Sequence, residues 1–276
     1  MAYLPMSSRV LDAVAKLSSL DGGRAGWDMV KQKIERRTLV ALLGGALGMA
    51  TRPSMADDAI DPGARDAVAQ LGKALSTGAF SFRSYTIRQY EKDNLPLHIF
   101  HSAAVLVRRP DRLMIDIKGD DGQAQIGYDG KTLTVYSVTA NKYGQMPISG
   151  SIETMLRAAS ERMGVDFPLA DLLADKPGQA FLSGVVTGKK VGEATIDGQK
   201  CNHFFFLQPP GIELELWAEA DQQALPRRIA VTYRSVPGEP QFLSQMSDWK
   251  LGINPPDDAF VVKIPAGATK AESRSQ

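Results

Sequence analysis

Short runs in which apolar and polar residues alternate recur along this chain, and this two-residue period is the feature that most restricts its fold. The runs are DRLMIDIKG (111–119), IELELWAE (212–219) and RRIAVTYR (227–234). Such alternation is typical of strands with one face on a core and the other in water. Asp129-Gly130 and Asp197-Gly198 fall between runs of this kind, as in tight hairpins. A mostly antiparallel sheet is therefore predicted.

Helical spacing replaces this period in two places. The first is DPGARDAVAQLGKALSTG (61–78), where Asp61 can cap a helix, Pro62 suits its first turn and Gly78 ends it. The second is mid-chain, where SIETMLRAASERMG (151–164) is followed by PLADLL (168–173). The apolar stripes predicted for the two long helices are Ala64, Ala67, Val68, Leu71 and Leu75, and then Ile152, Met155, Leu156, Ala159 and Met163.

The element order is therefore a helix, about five strands, two helices and about six strands. It predicts a mainly β fold with some α: an open, incomplete antiparallel β-barrel of about 11 strands, with an N-terminal helix and a mid-chain helical lid. The interior of such a barrel is either a filled core or a ligand cavity, and the pattern leaves both possible.

The N-terminal region has the order of a secretory signal. Arg36 and Arg37 precede an apolar block of about a dozen residues (39–50), and Ser54 and Ala56 form a small-x-small cleavage site. The block is shorter than the roughly 20 residues of a membrane-spanning helix. We expect residues 1–28 to be a mis-assigned start or an extension, residues 29–56 a signal peptide, residues 57–268 one domain and residues 269–276 a disordered tail. Sec and twin-arginine export both remain possible.

Charge and cysteine content limit the possible functions. After residue 56 the chain has 24 basic and 27 acidic residues, a formal charge of −3, so a nucleic-acid partner is not expected. Cys201 is the single cysteine, which leaves neither a disulfide nor a lipidation cysteine at the cleavage site. The expectation is a periplasmic protein without a stable membrane anchor after cleavage.

Residues with possible chemistry are few. His98 and His101 are three apart on a strand and point to opposite faces, so we predict no metal site and no cofactor. Cys201 and His203 share a face, as in a Cys-His nucleophile, but a buried cysteine commonly behaves as a small hydrophobe. We find no catalytic motif and expect no enzymatic activity. Phe204, Phe205 and Phe206 give one strand aromatic surface on both faces.

Three phrases resemble the LolA family of periplasmic lipoprotein carriers. They are VLVRRPDRLMID (105–116), with its Arg-Pro turn, the YDGKTLTVYS hairpin (128–137) and the closing DDAFVVKIPAGA strand (257–268). Within that superfamily the sequence is most similar to an uncharacterised branch of predicted periplasmic proteins. The resemblance implies the open barrel and a role for Arg109 as a latch that hydrogen-bonds the lid helices.

We accordingly predict a soluble carrier or sensor that holds acyl chains of a lipid or an acylated protein, with an envelope protein that loads or unloads it. The alternative is an envelope protein-interaction scaffold with a filled core. The predicted ligand-binding residues are Phe82, Leu113, Ile115, Leu133, Met155, Leu156, Phe205, Leu214, Leu216 and Trp217.

Overall fold

The computed structural model describes residues 59–76, 78–92, 95–163, 167 and 169–271. The predicted extension and signal peptide (1–56) lie outside this part of the chain. Among the described residues, no helix is long and apolar enough to cross a membrane.

The first helix, α1 (Pro62–Leu75), forms where its apolar spacing predicts. Its predicted stripe is buried, together with Gly72. Asp61 stands at the N-cap position, but its side chain makes no capping bond. Instead Asp61 Oδ2 accepts a hydrogen bond from the backbone N–H of Lys190, 3.1 Å away, which ties the helix start to a sheet edge.

In the described residues twelve strands form one sheet, and the prediction of an open antiparallel sheet is confirmed. The strands are β1 (Ala79–Lys92), β2 (Leu95–Arg108), β3 (Arg112–Gly119), β4 (Gly122–Tyr128), β5 (Thr132–Ser137), β6 (Lys142–Pro147), β7 (Thr187–Ile196), β8 (Gln199–Gln208), β9 (Ile212–Glu219), β10 (Pro226–Tyr233), β11 (Gln241–Leu251) and β12 (Thr269–Lys270). Their order is β12-β6-β5-β4-β3-β2-β1-β11-β10-β9-β8-β7. In the described part of the chain the outermost strands, β12 and β7, are not paired with each other, so the barrel stays open.

The central seam of the sheet joins the two ends of the domain. Strand β1 pairs with β11, with Phe80 opposite Leu251 and Arg88 opposite Phe242. The other neighbours, β12 excepted, are consecutive hairpins or meanders. The Asp197-Gly198 turn has positive φ at both residues, as a type I′ hairpin turn requires.

Within the part of the chain that the structure describes, three mid-chain helices follow β6: α2 (Ile152–Met163), α3 (Ala170–Leu173) and α4 (Pro177–Leu182). The sequence predicts the first two, and α4 is additional. Helix α4 crosses α1 at Gly72 and Gly178, where a Cβ built on Gly72 would lie 2.7 Å from the Gly178 nitrogen. The two backbones therefore approach closely because neither residue has a side chain there.

One apolar cluster fills the space between the sheet and these helices. It includes Leu133 from β5 and Phe206 from β8, which lie far apart in strand order, together with residues of α1 and the mid-chain helices. The helices and the buried strand residues thus share one core, around which the open barrel curves. We call the face inside this curve the inner face, and the opposite one the outer face.

The C-terminal segment (252–268) corrects two predictions. The expected closing strand is instead a 3₁₀ turn (Asp257–Phe260) followed by extended chain, and it packs on the outer face, with Val262 and the Phe260 carbonyl directly over Gly127. Prolines in this segment lack the N–H that a sheet ladder needs. Part of the predicted disordered tail is ordered, because Thr269 and Lys270 form β12 in parallel with β6 and Ala271 is buried.

Candidate functional site

The interior between the inner face and the mid-chain helices holds eight of the ten predicted ligand-binding residues. Each has at most 9 % of its surface exposed, and all belong to the apolar cluster. They are Phe82, Leu113, Ile115, Leu133, Met155, Leu156, Leu214 and Leu216. The structure thus brings residues of four strands and of α2 together in one interior.

Phe205 and Trp217 do not belong to that interior, and the prediction for them needs correction. Phe204 and Phe206 are buried on the inner face of β8, and their neighbour Phe205 points the other way. Trp217 follows Leu216 on β9 and likewise lies on the outer face. The alternation of strand side chains forces this outcome, because adjacent residues cannot share a face.

Trp217 belongs to a mixed aromatic and charged group on the outer face. Its ring stacks on His203 with 4.0 Å between centroids, and the Arg228 guanidinium lies 5.5 Å from the Trp217 centroid. His203 Nε2 is 2.8 Å from Glu215 Oε2. We call His203, Glu215, Trp217 and Arg228 the outer patch.

Cys201 is the other residue that the sequence marks for chemistry. Its thiol is 1 % exposed, and burial raises its pKa above the ordinary thiol value. A raised pKa leaves less thiolate, the nucleophilic form, at neutral pH. The Sγ atom contacts the Gln199 carbonyl at 3.6 Å, and the imidazole of His203 is engaged by Glu215 and Trp217.

Arg109 lies in the β2–β3 turn and donates hydrogen bonds to three backbone carbonyls. Its Nε bonds to Leu75 O at 3.1 Å, at the end of α1. Its two terminal nitrogens bond to Leu172 O at 3.0 Å and Leu173 O at 2.6 Å, at the end of α3. The last carbonyls of a helix have no partner within the helix and carry partial negative charge, which a guanidinium complements.

The surroundings of Arg109 are partly apolar and partly acidic. Burial lowers its pKa, while Asp175 and Glu153 act in the opposite direction. The guanidinium also lies 5.9 Å from the centroid of Phe80. An arginine remains charged at any physiological pH, so this is a permanent cation bound to two helix ends.

Its neighbour Arg108 serves a different region. Arg108 donates to the Pro255 carbonyl at 2.9 Å and pairs with Asp257, so it holds the C-terminal segment on the outside of the sheet. Adjacent arginines thus act on opposite sides of the structure.

A polar row that the sequence did not lead us to expect crosses the mostly apolar inner face. It consists of Ser244 on β11, Thr86 on β1 and His101 on β2, which are in register. His101 Nε2 lies 2.9 Å from Asp121 Oδ1. The sequence contains a sign of this row: Ser244 is a polar residue in the alternating set of inward positions, between the apolar residues Phe242 and Met246.

The predicted opposite orientation of the two strand histidines is confirmed. His98 is exposed and His101 is buried on the inner face.

The fold and this site define a class of protein: an open antiparallel sheet wrapped around helices, with an apolar interior and an arginine bound to the helix ends. This is the architecture predicted from the resemblance to the LolA superfamily.

The chain belongs to the family DUF2092, described as predicted periplasmic proteins, whose model matches residues 66–273. The predicted relationship to a branch of periplasmic proteins is thereby confirmed, and the protein is periplasmic. No curated protein matches the sequence significantly.

Three solved structures from bacteria have a similar fold. Lipoprotein LppX of Mycobacterium tuberculosis is 21 % identical, with 70 % of this chain and 98 % of that chain covered and a TM-score of 0.45. The MucA/MucB complex of Pseudomonas aeruginosa is 16 % identical, with 73 % of this chain and 61 % of that chain covered and a TM-score of 0.41. A LolA superfamily protein from Nitrosomonas europaea is 13 % identical, with 72 % of this chain and 97 % of that chain covered and a TM-score of 0.37. At these values we draw no functional conclusion from them.

Proposed function

We propose that this protein is a periplasmic binding protein without enzymatic activity, which takes up acyl chains of a lipid or an acylated protein between its inner face and its mid-chain helices. The observation that carries the proposal is the triple hydrogen bond of Arg109 to the ends of α1 and α3. The mid-chain helices then act as a lid, and Arg109 holds the lid closed.

The chemistry of the interior supports an apolar ligand. The side chains that α2 buries, such as Met155 and Leu156, belong to the same apolar cluster as the buried strand residues of the inner face. A ligand that took the place of α2 against the sheet would gain roughly 0.8 kcal/mol for each buried methylene group. A few methylene groups could therefore compensate for the packing that α2 gives up when the lid opens.

The latch has the right strength for a reversible lid. Hydrogen bonds that involve a charged group contribute about 1.5–3 kcal/mol each in net terms. Opening would break the two bonds to α3 and return Arg109 to water, which recovers part of that energy. The third bond, to Leu75 O, would keep the arginine anchored on α1.

A second candidate is a protein-interaction scaffold with a filled core. Two observations favour it: the inner side chains are almost inaccessible in this structure, and the outer patch presents aromatic and charged groups on the outer face. In that case the interior would serve stability only.

Native mass spectrometry of the protein purified from a periplasm tests between these functions. Bound mass of lipid size that is lost on organic extraction is the expected result. A ligand-free protein that also fails to take up a fluorescent fatty acid would refute the carrier and leave the scaffold.

The latch itself is tested with Arg109→Leu, using Arg108→Leu as the matched control. We expect Arg109→Leu to speed release of the fluorescent fatty acid and to lower hydrogen-exchange protection in residues 152–182. Arg108→Leu should leave both unchanged, because its partners lie in the C-terminal segment. If the two variants retain ligand and lid protection equally well, Arg109 is not a latch.

A further inference from the structure

The polar row lies where a purely structural core would be apolar. Along the same register line Ser244 is followed on one side by Ile229 and on the other by Thr86 and His101. Neighbouring strands are about 4.8 Å apart, so Ser244 and His101 are separated by roughly 10 Å across the inner face. Three adjacent strands thus place hydrogen-bonding groups in one line.

Ser244 is the unusual member of this row. It is 1 % exposed, and its Oγ has no hydrogen-bond partner among the described residues. Thr86 Oγ1, by contrast, has the His101 carbonyl at 3.5 Å, and His101 has Asp121. A buried hydroxyl without a partner is costly, and in native proteins such a group usually has a partner or a functional reason.

The neighbours of Ser244 determine what could serve as its partner. Phe242 and Met246 flank it on β11, and both are buried on the inner face. The Arg88 guanidinium lies 5.8 Å from the centroid of the Phe242 ring. An acyl group suits this position, because it combines an oxygen acceptor for Ser244 Oγ with apolar surface for Phe242 and Met246.

We propose that the polar row is the polar end of the ligand site, where the Ser244 hydroxyl donates a hydrogen bond to the carbonyl or carboxylate oxygen of an acyl ligand. This rests on the proposed function and deepens it, because it fixes the ligand's orientation: the acyl oxygen lies at the row, and the hydrocarbon lies against the apolar inner face. A hydrocarbon without such an oxygen gains nothing from Ser244.

The test compares three fluorescent probes on the full-length protein and on Ser244→Ala. They are cis-parinaric acid, its methyl ester, and diphenylhexatriene, which has no hydrogen-bond acceptor. Ser84→Ala is the matched control, because Ser84 is buried on the same inner face, opposite Met246. Ser244→Ala removes an unpartnered hydroxyl, so its melting temperature in the absence of ligand should not fall.

We expect Ser244→Ala to weaken binding of the acid or the ester roughly fivefold, the effect of one hydrogen bond, and to leave diphenylhexatriene unchanged. Weaker binding of both the acid and the ester supports the site and indicates that it accepts acyl esters as well as acids. Weaker binding of the acid alone also supports the site, with a free fatty acid as the ligand. Equal affinities of Ser244→Ala and Ser84→Ala for all probes would overturn the site while the carrier function stands. If the unmodified protein binds no probe, both proposals fail.

Discussion

The two faces of strands β8 and β9 carry similar aromatic content but are stabilised in different ways. On the inner face Phe204 and Phe206 are almost inaccessible, and Phe206 meets Phe181 of α4 edge-on at 5.3 Å. On the outer face Trp217 is held by a stacked imidazole and a guanidinium. The inner aromatic residues thus depend on helices that pack over them, and the outer ones depend on charged neighbours in the same sheet.

This difference shows how one strand can serve two purposes. Burial against helices contributes much to stability, so changes there affect the whole fold. Stacking and ion pairs at a partly wet surface contribute little, so changes there leave the fold intact and alter what the surface can bind. Substitutions on the two faces therefore test this distinction.

The largest expected effect comes from truncating neighbouring phenylalanines on opposite faces. Phe206→Ala should lower the free energy of unfolding by about 3–5 kcal/mol, because it opens a cavity under α4. Phe205→Ala should cost only about 1 kcal/mol, because its side chain is half-buried on the outer face. Chemical denaturation of both variants provides the measurement. Equal losses would mean that the two faces are not energetically distinct.

Strands β8 and β9 also show how far the inward or outward position of a residue can be predicted from the sequence. The alternation in ELELW already places Trp217 in phase with Glu213 and Glu215, so its outward position could be read from the sequence. Phe205 was harder, since three consecutive phenylalanines fit either register. Only the pairing of Phe204 with Leu216 determines which of them face the helices.

A smaller effect is expected where the helices themselves meet. Gly72→Ala should lower the free energy of unfolding by about 1–3 kcal/mol, because the added methyl group would collide with the Gly178 backbone and force α1 and α4 apart. Gly63→Ala in the same helix is the control, since no atom lies within 4 Å of its Cβ position. That variant should be neutral or up to about 1 kcal/mol more stable. Thermal unfolding that ranks the two variants in the reverse order would contradict the close helix crossing.

The smallest effect concerns the buried thiol of β8. Burial raises the pKa of Cys201, so in the folded protein the thiol keeps its proton at pH values where the unfolded chain has already lost it. Folding stability contributed by this group is therefore complete below the ordinary thiol pKa of about 8.5 and falls as the pH rises above it. Compared with Cys201→Ala, the unmodified protein should lose stability more steeply above about pH 8.5. Parallel pH profiles would indicate that the thiol pKa is the same in both states.

The sequence predicted most elements of the fold for local reasons. The stripe of α1, the alternation of β3 and β9 and the Asp-Gly turns each depend on a few neighbouring residues. The resemblance to a family pointed to Arg109, but no local pattern could identify its partners, which are backbone carbonyls at the ends of two distant helices. The C-terminal segment was misassigned because its strand was expected from the resemblance to a family, whereas its prolines and its position over Gly127 favour a 3₁₀ turn and extended chain.

The pairing of β1 with β11 affects when the chain can fold during its synthesis. The seam at the centre of the sheet joins Phe80 to Leu251, so the sheet cannot be completed until nearly the whole domain has been synthesised. Topologies dominated by such distant contacts fold slowly. For export as an extended chain, which is the Sec alternative, this delay is an advantage, because the arrangement of the strands postpones the compact state until both ends of the domain are present.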